Sequence, residues 1–179
     1  IAGNLTLING GTIIVSNNAS VTAWQVFEGS NSDGHWGTIN QYGGTLTLIS
    51  DDVTRILTIG EFPGATSYYN LYGGTVAVLN GSGRCYIGWD GGGQLNMYGG
   101  LAQFKNLRAD GQGGLLTLNG GELRLGNGGI DNPTGPVTIN LGGGTLSSYE
   151  TWSSALAMGL TGIGGNVTIA PAAGQTITL

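Results

Sequence analysis

A pair of adjacent glycines followed by a short alternating run recurs seven times along the chain. The second glycines of these pairs lie 21 to 33 residues apart, and they are Gly11, Gly44, Gly74, Gly100, Gly121, Gly144 and Gly165. A period of this size is typical of a solenoid, in which each repeat forms one turn and stacks on its neighbours. The glycine pairs therefore predict about seven stacked coils.

Each repeat contains two short strands that meet at the glycine pair. Leu116 and Leu118 before one pair, and Leu123 and Leu125 after it, occupy every second position, which is the period of a half-buried strand. The sharp bend between the strands requires backbone angles that glycine adopts without strain. Most repeats add a third short strand, as at 56–59, 85–87 and 107–109. Three strands per coil predict an all-β fold, a right-handed parallel β-helix.

Residues 1–179 are interpreted as a single domain, because no linker-like change of composition divides them. An all-antiparallel sandwich is the alternative fold. Residues 151–161 are the least regular stretch, and we expect them to form a helical turn or a loop across one face. Residues 176–179 have the pattern of a strand with an exposed edge. Because the chain begins at Ile1 without a methionine or a signal sequence, we expect it to be part of a longer protein.

The composition excludes several classes of protein. The chain has 37 glycines but only 4 prolines and no Gly-X-Y period, which excludes collagen. The chain has only 5 Lys and Arg residues but 10 acidic residues, so we expect no binding to nucleic acid or anionic membrane. No apolar stretch approaches the roughly 20 residues of a membrane span, so no membrane insertion is expected. The only cysteine, Cys85, is expected to be a buried core residue.

Three successive coils carry an unusual set of outward side chains on the strand before the glycine pair. Strand alternation fixes which positions point outward, and stacking turns equivalent positions into columns. The predicted rows are Thr38, Asn40 and Tyr42, then Tyr68, Asn70 and Tyr72, then Gln94, Asn96 and Tyr98. The sequence therefore predicts a tyrosine column beside an asparagine column on one flat sheet face.

This pattern has two interpretations, which the sequence leaves open. A polysaccharide needs apolar surfaces for the C–H faces of its sugars and short polar groups for their hydroxyls, and tyrosine with asparagine supplies both. Stacked tyrosine and asparagine ladders also stabilise parallel coils without binding anything. The first interpretation predicts a polysaccharide as the partner.

Other aromatic residues lie near loops. We include Trp36, Trp89 and Tyr86 among the candidate ligand-binding residues, with Tyr86 at an outward position of the third strand. An indole in a glycine-rich loop can form the wall of a groove, and it can equally pack across the loop. Trp24 and Trp152 are assigned to capping or loop packing.

The chain offers little that predicts catalysis. Its acidic residues are scattered over loops and outward positions, and the repeat fixes no pair at an acid–base separation. Eight of the 10 acidic residues were weighed for such a role, and they are Asp33, Asp51, Asp52, Glu61, Asp90, Asp110, Glu122 and Asp131. Arg108 and Asp110 at one strand end, with Asp90 in the coil before, are the residues on which a small polysaccharide lyase would depend. We expect no enzyme activity.

No cofactor is predicted, although calcium remains an open alternative. Aspartates followed by glycine or asparagine in loops resemble oxygen-rich calcium surroundings, but none completes a recognised calcium loop. These aspartates are Asp33, Asp90, Asp110 and Asp131. A lone Asp-Gly is more commonly a turn. His35, the only histidine, has no cysteine or second histidine beside it with which to form a zinc site.

The repeats resemble the autotransporter-associated β-strand repeat of large secreted bacterial proteins. The most similar stretch runs from Gly142 through Thr145-Leu146 to Gly164-Gly165-Asn166-Val167 and on through 174–179. The chain is also similar in size and fold class to β-helical xylan-binding modules attached to glycoside hydrolases of gut bacteria. These resemblances imply a secreted, extracellular bacterial protein with covalently linked neighbouring domains.

The outward face and the second resemblance together lead to one functional expectation. We expect a non-catalytic carbohydrate-binding module for a plant cell-wall polysaccharide, with xylan as the first choice. One alternative is a structural or adhesive β-helix segment of an autotransporter-like surface protein. A second alternative is a small polysaccharide lyase.

Overall fold

The chain winds into a right-handed parallel β-helix of about seven turns. The structure is a computed structural model that describes residues 3–7, 9–29, 34–51, 56–64, 66–78, 80–81 and 83–179. Every strand pair among these residues is parallel, and the strands lie on three faces, which we call A, B and C. None of the described residues forms a helix, so no helical segment there could cross a membrane. The predicted fold is confirmed.

Face A holds the strands that precede the glycine pairs, and face B holds those that follow them. Two long strands, β11 (Gly92–Arg108) and β12 (Gly114–Asp131), continue around the corners and contribute to all three faces. Face A consists of β2 (Gly11–Val15), β5 (Gly37–Gln41), β8 (Thr66–Leu71), the starts of β11 (Gly92–Arg108) and β12 (Gly114–Asp131), β13 (Val137–Leu141) and β16 (Gly159–Leu160). Face B consists of β3 (Ser20–Ala23), β6 (Thr45–Leu48), β9 (Thr75–Val78), the middles of β11 and β12, β14 (Gly144–Ser148) and β17 (Val167–Pro171).

Face C is built from the third strands that the sequence predicted. It consists of β1 (Leu5–Leu7), β4 (Val26–Glu28), β7 (Leu57–Ile59), β10 (Arg84–Ile87) and the ends of β11 and β12. A separate two-stranded sheet of β15 (Trp152–Ser153) and β18 (Ile177–Thr178) follows. Three faces per turn bring all three sets of apolar side chains toward one axis.

The core is a set of columns in which each coil places an apolar side chain above its equivalent in the coil before. One such column on face A runs through Ile39, Tyr69, Leu95, Leu116 and Ile139, all at most 2% exposed. Cys85 is buried and unpaired in the column on face C, as predicted. No coil buries these side chains alone, so stability depends on stacking.

The corners between faces A and B follow the glycine pairs in the central coils. The second glycine has a left-handed backbone, with φ of +67° at Gly44, +80° at Gly74 and +73° at Gly100. A Cβ on Gly100 would lie 2.6 Å from the carbonyl oxygen of Gly74, so this corner has no room for a side chain. Buried Gln41 donates hydrogen bonds from Nε2 to the carbonyls of Gly43 and Gly44 at the corner of its own coil. Both the backbone angle and the close approach of coils select glycine.

The sequence analysis placed the first glycine pair, Gly10-Gly11, at the corner between the two strands of its coil, and this placement is wrong. Gly11 pairs in register with Gly37 at the start of face A, whereas Ser20 is the residue that pairs with Thr45. The first corner between faces A and B is therefore at 16–19, where Asn17 adopts φ of +55°. Asparagine tolerates the left-handed region, so this corner forms without a glycine pair. Near the other end, Gly144 pairs with Val167 rather than with Gly165.

Residues 151–161 contain no helical turn, whereas the irregular stretch at 154–158 agrees with the loop alternative. The segment forms the short strands β15 and β16. Trp152 is 3% exposed and packs against Gly129, where an added Cβ would lie 2.6 Å from its ring. Gly129 therefore leaves the space that the indole of Trp152 occupies. Ile177–Thr178 forms a strand as expected, and β15 is its pairing partner.

One carboxyl group lies inside the core without a hydrogen-bond partner among the described residues. Glu28 is fully buried on face C, between Leu7 and Ile59 in register. Desolvation raises the pKa of Glu28 well above its ordinary value, because burial disfavours the charged form. Burial, with a smaller electrostatic contribution from Glu28, also raises the pKa of Cys85. Burial therefore favours the neutral form of Glu28 in the folded chain.

We expect Glu28→Gln to remove a pH dependence of stability. The folded-state pKa is raised, so the wild-type fold binds more protons than the unfolded chain above the unfolded pKa of about 4.3. Its unfolding free energy should then fall, relative to the variant, by about 1.4 kcal/mol per pH unit until the buried carboxyl ionises. Urea unfolding between pH 4 and 8 measures this difference. Parallel curves for the two proteins would contradict the neutral buried state.

Candidate ligand-binding face

Face A brings the three predicted outward rows together in register. Thr38 pairs with Tyr68, and Tyr68 pairs with Gln94. Asn70 lies between Asn40 and Asn96 in the same way. The sheet register predicted from the glycine pairs is therefore confirmed for these three coils. We call the nine side chains of the three rows the Tyr–Asn face.

The tyrosine column is a stack of parallel rings. The ring centroids of Tyr42 and Tyr72 are 4.8 Å apart with an interplanar angle of 8°, and those of Tyr72 and Tyr98 are 5.0 Å apart at 11°. The three side chains remain 54%, 42% and 47% exposed. Since carbon atoms make contact at about 3.5–4.0 Å, the rings are offset, and each leaves part of its face, its edge and its hydroxyl in solvent.

The asparagine column is a hydrogen-bonded ladder. Nδ2 of Asn70 donates to Oδ1 of Asn40 at 2.9 Å, and Nδ2 of Asn96 donates to Oδ1 of Asn70 at 3.0 Å. A primary amide has two N–H donors and two acceptor lone pairs. The ladder uses one of each on Asn70, so a second donor and a second acceptor are left for a ligand. The ladder also holds the amides in fixed orientations.

The Tyr–Asn face carries no charged side chain. Its rows consist of threonine, tyrosine, asparagine and glutamine. Partial burial, with smaller contributions from Tyr42 and Tyr98, raises the pKa of Tyr72, so its hydroxyl keeps its proton at neutral pH. The face therefore offers hydroxyls, amides and aromatic surface, which suits a neutral ligand rich in hydroxyl groups.

A shallow depression at the start of the face A strands extends this surface, and the sequence analysis missed it. It has a volume of about 270 Å³, and its lining includes Thr66, Gly92, Gln94, Gln112 and Gly114. The glycines at this edge leave the sheet without side chains. The run Gly91-Gly92-Gly93 was the sequence signal for such a floor.

Trp36 lies at the opposite end of an outward row from Tyr42. It directly precedes β5 and is 41% exposed, and its ring covers Gly10, where an added Cβ would lie 2.9 Å from the indole. Alternation along β5 places it on the same side as Thr38 and Asn40. The exposed part of Trp36 therefore lies at the margin of the Tyr–Asn face, where it could contact a bound ligand.

Tyr86 and Trp89 lie elsewhere, toward face C. Tyr86 is flanked by the core residues Cys85 and Ile87 and so points outward, but it is only 2% exposed. Trp89 covers it, with ring centroids 4.6 Å apart at 83°. Tyr86 therefore cannot be a surface platform, which corrects the sequence prediction, because the alternation of a strand does not show which loop folds over it. Trp89 itself is half-buried.

The acidic residues do not form a metal site among the described residues, where no three potential ligands converge. Asp33 and Asp52 lie outside the described residues. Arg108 and Asp110 do come together, with Nε and Oδ2 3.0 Å apart. Arg108, Asp110 and Asp90 all line one small cavity, so the grouping predicted from the sequence is present.

Comparisons of the chain with protein families, with curated proteins and with solved structures found no match.

Proposed function

We propose that the protein is a non-catalytic module that binds a neutral polysaccharide across the Tyr–Asn face. The observation that carries the proposal is the exposed stack of three tyrosines beside a ladder of asparagines in register. Aromatic surface takes the C–H faces of sugars, and amides with fixed orientation take their hydroxyls. The absence of charge on the face favours a neutral glycan over an acidic one.

The spacing of the face supports an extended chain as the ligand. Equivalent tyrosine rings repeat every 4.8 to 5.0 Å from coil to coil. A sugar unit of an extended polysaccharide is of comparable length, so successive sugars laid along the helix axis meet successive coils. Xylan, a plant cell-wall polysaccharide, is the first ligand to test. The same proposal includes that the protein is secreted by a bacterium.

A structural role is the second candidate, and the ladders themselves favour it. Stacked rings and hydrogen-bonded amides stabilise parallel coils whether or not a ligand binds. In that case the β-helix is a spacer or adhesive segment of a surface protein. A polysaccharide lyase, which would use Arg108 and Asp110, has no observation on the Tyr–Asn face in its favour.

Affinity gel electrophoresis tests the proposal directly. The protein is run at low salt through gels containing xylan, β-glucan, mannan or pectin, with a pull-down on cellulose, each with and without a chelator. We expect retardation by at least one neutral glycan, unchanged by the chelator. No retardation by any of them would favour the structural role, and release of unsaturated product would favour the lyase.

A further inference from the structure

A second cavity lies on the face C side of the corner loop that begins at Asp110. Its volume is about 270 Å³, and it is lined by Trp89, Asp90, Arg108, Asp110, Gly111 and Thr134. The depression on face A, lined in part by Gln112, lies on the other side of the same loop. We call the second cavity the Trp89 cleft. It shares no lining residue with the Tyr–Asn face.

The polar side of the Trp89 cleft is a prearranged network. Oδ2 of Asp110 accepts from Nε of Arg108 at 3.0 Å, and Oδ1 of Asp110 accepts from the Thr134 hydroxyl at 2.7 Å. Nη1 of Arg108 lies 3.6 Å from Oδ2 of Asp131. A guanidinium has five N–H donors, and its Nη2 has no partner among the described residues. Donors and acceptors are therefore held side by side at the cleft.

The apolar side of the cleft is a supported indole. Tyr86 packs edge-on against Trp89, and the guanidinium carbon of Arg108 lies 5.9 Å from the centroid of the Tyr86 ring. Tyr86 is itself buried, so it fixes both the indole and the guanidinium from beneath. Tyr86 acts here as a positioning residue and not as a ligand contact.

We infer that the Trp89 cleft is a separate site for a single neutral sugar unit, a branch or a chain end. The C–H face of the sugar packs on the indole, and two adjacent hydroxyls bind the Arg108–Asp110 pair, one as acceptor and one as donor. The single guanidinium of Arg108 is surrounded by three carboxyl groups, those of Asp90, Asp110 and Asp131. This excess of negative charge disfavours an acidic sugar. The class of ligand rests on the proposed function, but the site and its residues do not.

Titration followed by nuclear magnetic resonance tests this inference on the full chain. The four tryptophans, Trp24, Trp36, Trp89 and Trp152, give four indole N–H signals, and Trp89→Phe assigns the one of interest. The probes are methyl glycosides of xylose, glucose, mannose, galactose and arabinose, then glucuronate, then calcium chloride. We expect at least one neutral glycoside to shift the Trp89 signal and to leave that of buried Trp152 in place.

Variants separate this site from the Tyr–Asn face. Asp110→Asn, and Asp90→Asn on the exposed rim in case the first destabilises the fold, should each weaken the effect on Trp89, with about a tenfold rise in Kd for Asp110→Asn. Tyr72→Ala should leave it unchanged, even if retention on polysaccharide is lost. The inference is overturned if no neutral glycoside shifts Trp89, if both aspartate variants bind as wild type does, or if calcium or glucuronate alone produces the shift.

Discussion

Replacing Tyr72 with alanine should weaken binding to the retarding polysaccharide by roughly 30-fold, the loss typical of a central aromatic contact. Tyr72 is the middle ring of the stack, so its removal opens a gap between Tyr42 and Tyr98 and breaks the continuous aromatic surface. The fold should survive, because the side chain is outward and 42% exposed. Quantitative affinity electrophoresis gives the change in Kd, and far-ultraviolet circular dichroism checks the fold.

Two further variants show what the ring contributes. Tyr72→Phe keeps the stack and removes one hydroxyl, so it should bind nearly as well as wild type if the aromatic surface carries the affinity. Trp24→Ala removes an aromatic side chain of similar exposure, 40%, that follows β3 on face B. This variant should bind the polysaccharide as wild type does. A purely structural stack predicts a different outcome, in which Tyr72→Ala lowers stability and leaves binding unchanged.

Replacing Gly100 with alanine should cost at least about 3 kcal/mol of unfolding free energy, the range of severe single substitutions. Two effects add. The left-handed backbone, with φ of +73°, strains any residue with a Cβ by about 1–2 kcal/mol. The new Cβ would also lie 2.6 Å from the carbonyl oxygen of Gly74 and 2.9 Å from the carbonyl carbon of Gly73, which are backbone atoms of the preceding coil. Urea unfolding measures the loss.

Gly174→Ala separates the two effects. Gly174 has almost the same backbone angle, with φ of +76°, but an added Cβ there would meet nothing within 4 Å. This variant should therefore lose only the backbone term of about 1–2 kcal/mol. Equal losses at both positions would show that the close approach of coils at the corner is not what requires glycine.

The outcome for the individual residues shows where sequence reasoning succeeds. The rows ending in Tyr42, Tyr72 and Tyr98 were predicted in register, because strand alternation and equal distance from a glycine pair determine both the face and the neighbour. The same reasoning failed at Gly10-Gly11, where a second corner of the coil also uses glycine. The corner that this pair was expected to form lies further along the same coil, where Asn17 takes the place of glycine.

The Tyr–Asn face and the Trp89 cleft differ in how far the sequence can predict them. The Tyr–Asn face depends on side chains that repeat at fixed positions in consecutive coils. The Trp89 cleft depends on two loops of successive coils. The loop with Trp89 covers Tyr86, and the next one places Asp110 between Arg108 and Thr134. No period in the sequence specifies how such a loop lies.

The sequence by itself determined the coil, the three-strand turn, the inward core and the outward Tyr–Asn face, since each follows from a local period in the chain. Only the tertiary structure decided which loops cover Tyr86, where the Glu28 carboxyl enters the core, and that Thr134 and Asp131 join the pair of Arg108 and Asp110. The physical reason is that strand alternation acts between neighbours in the chain, whereas loop packing and burial act between residues that stacking alone brings together.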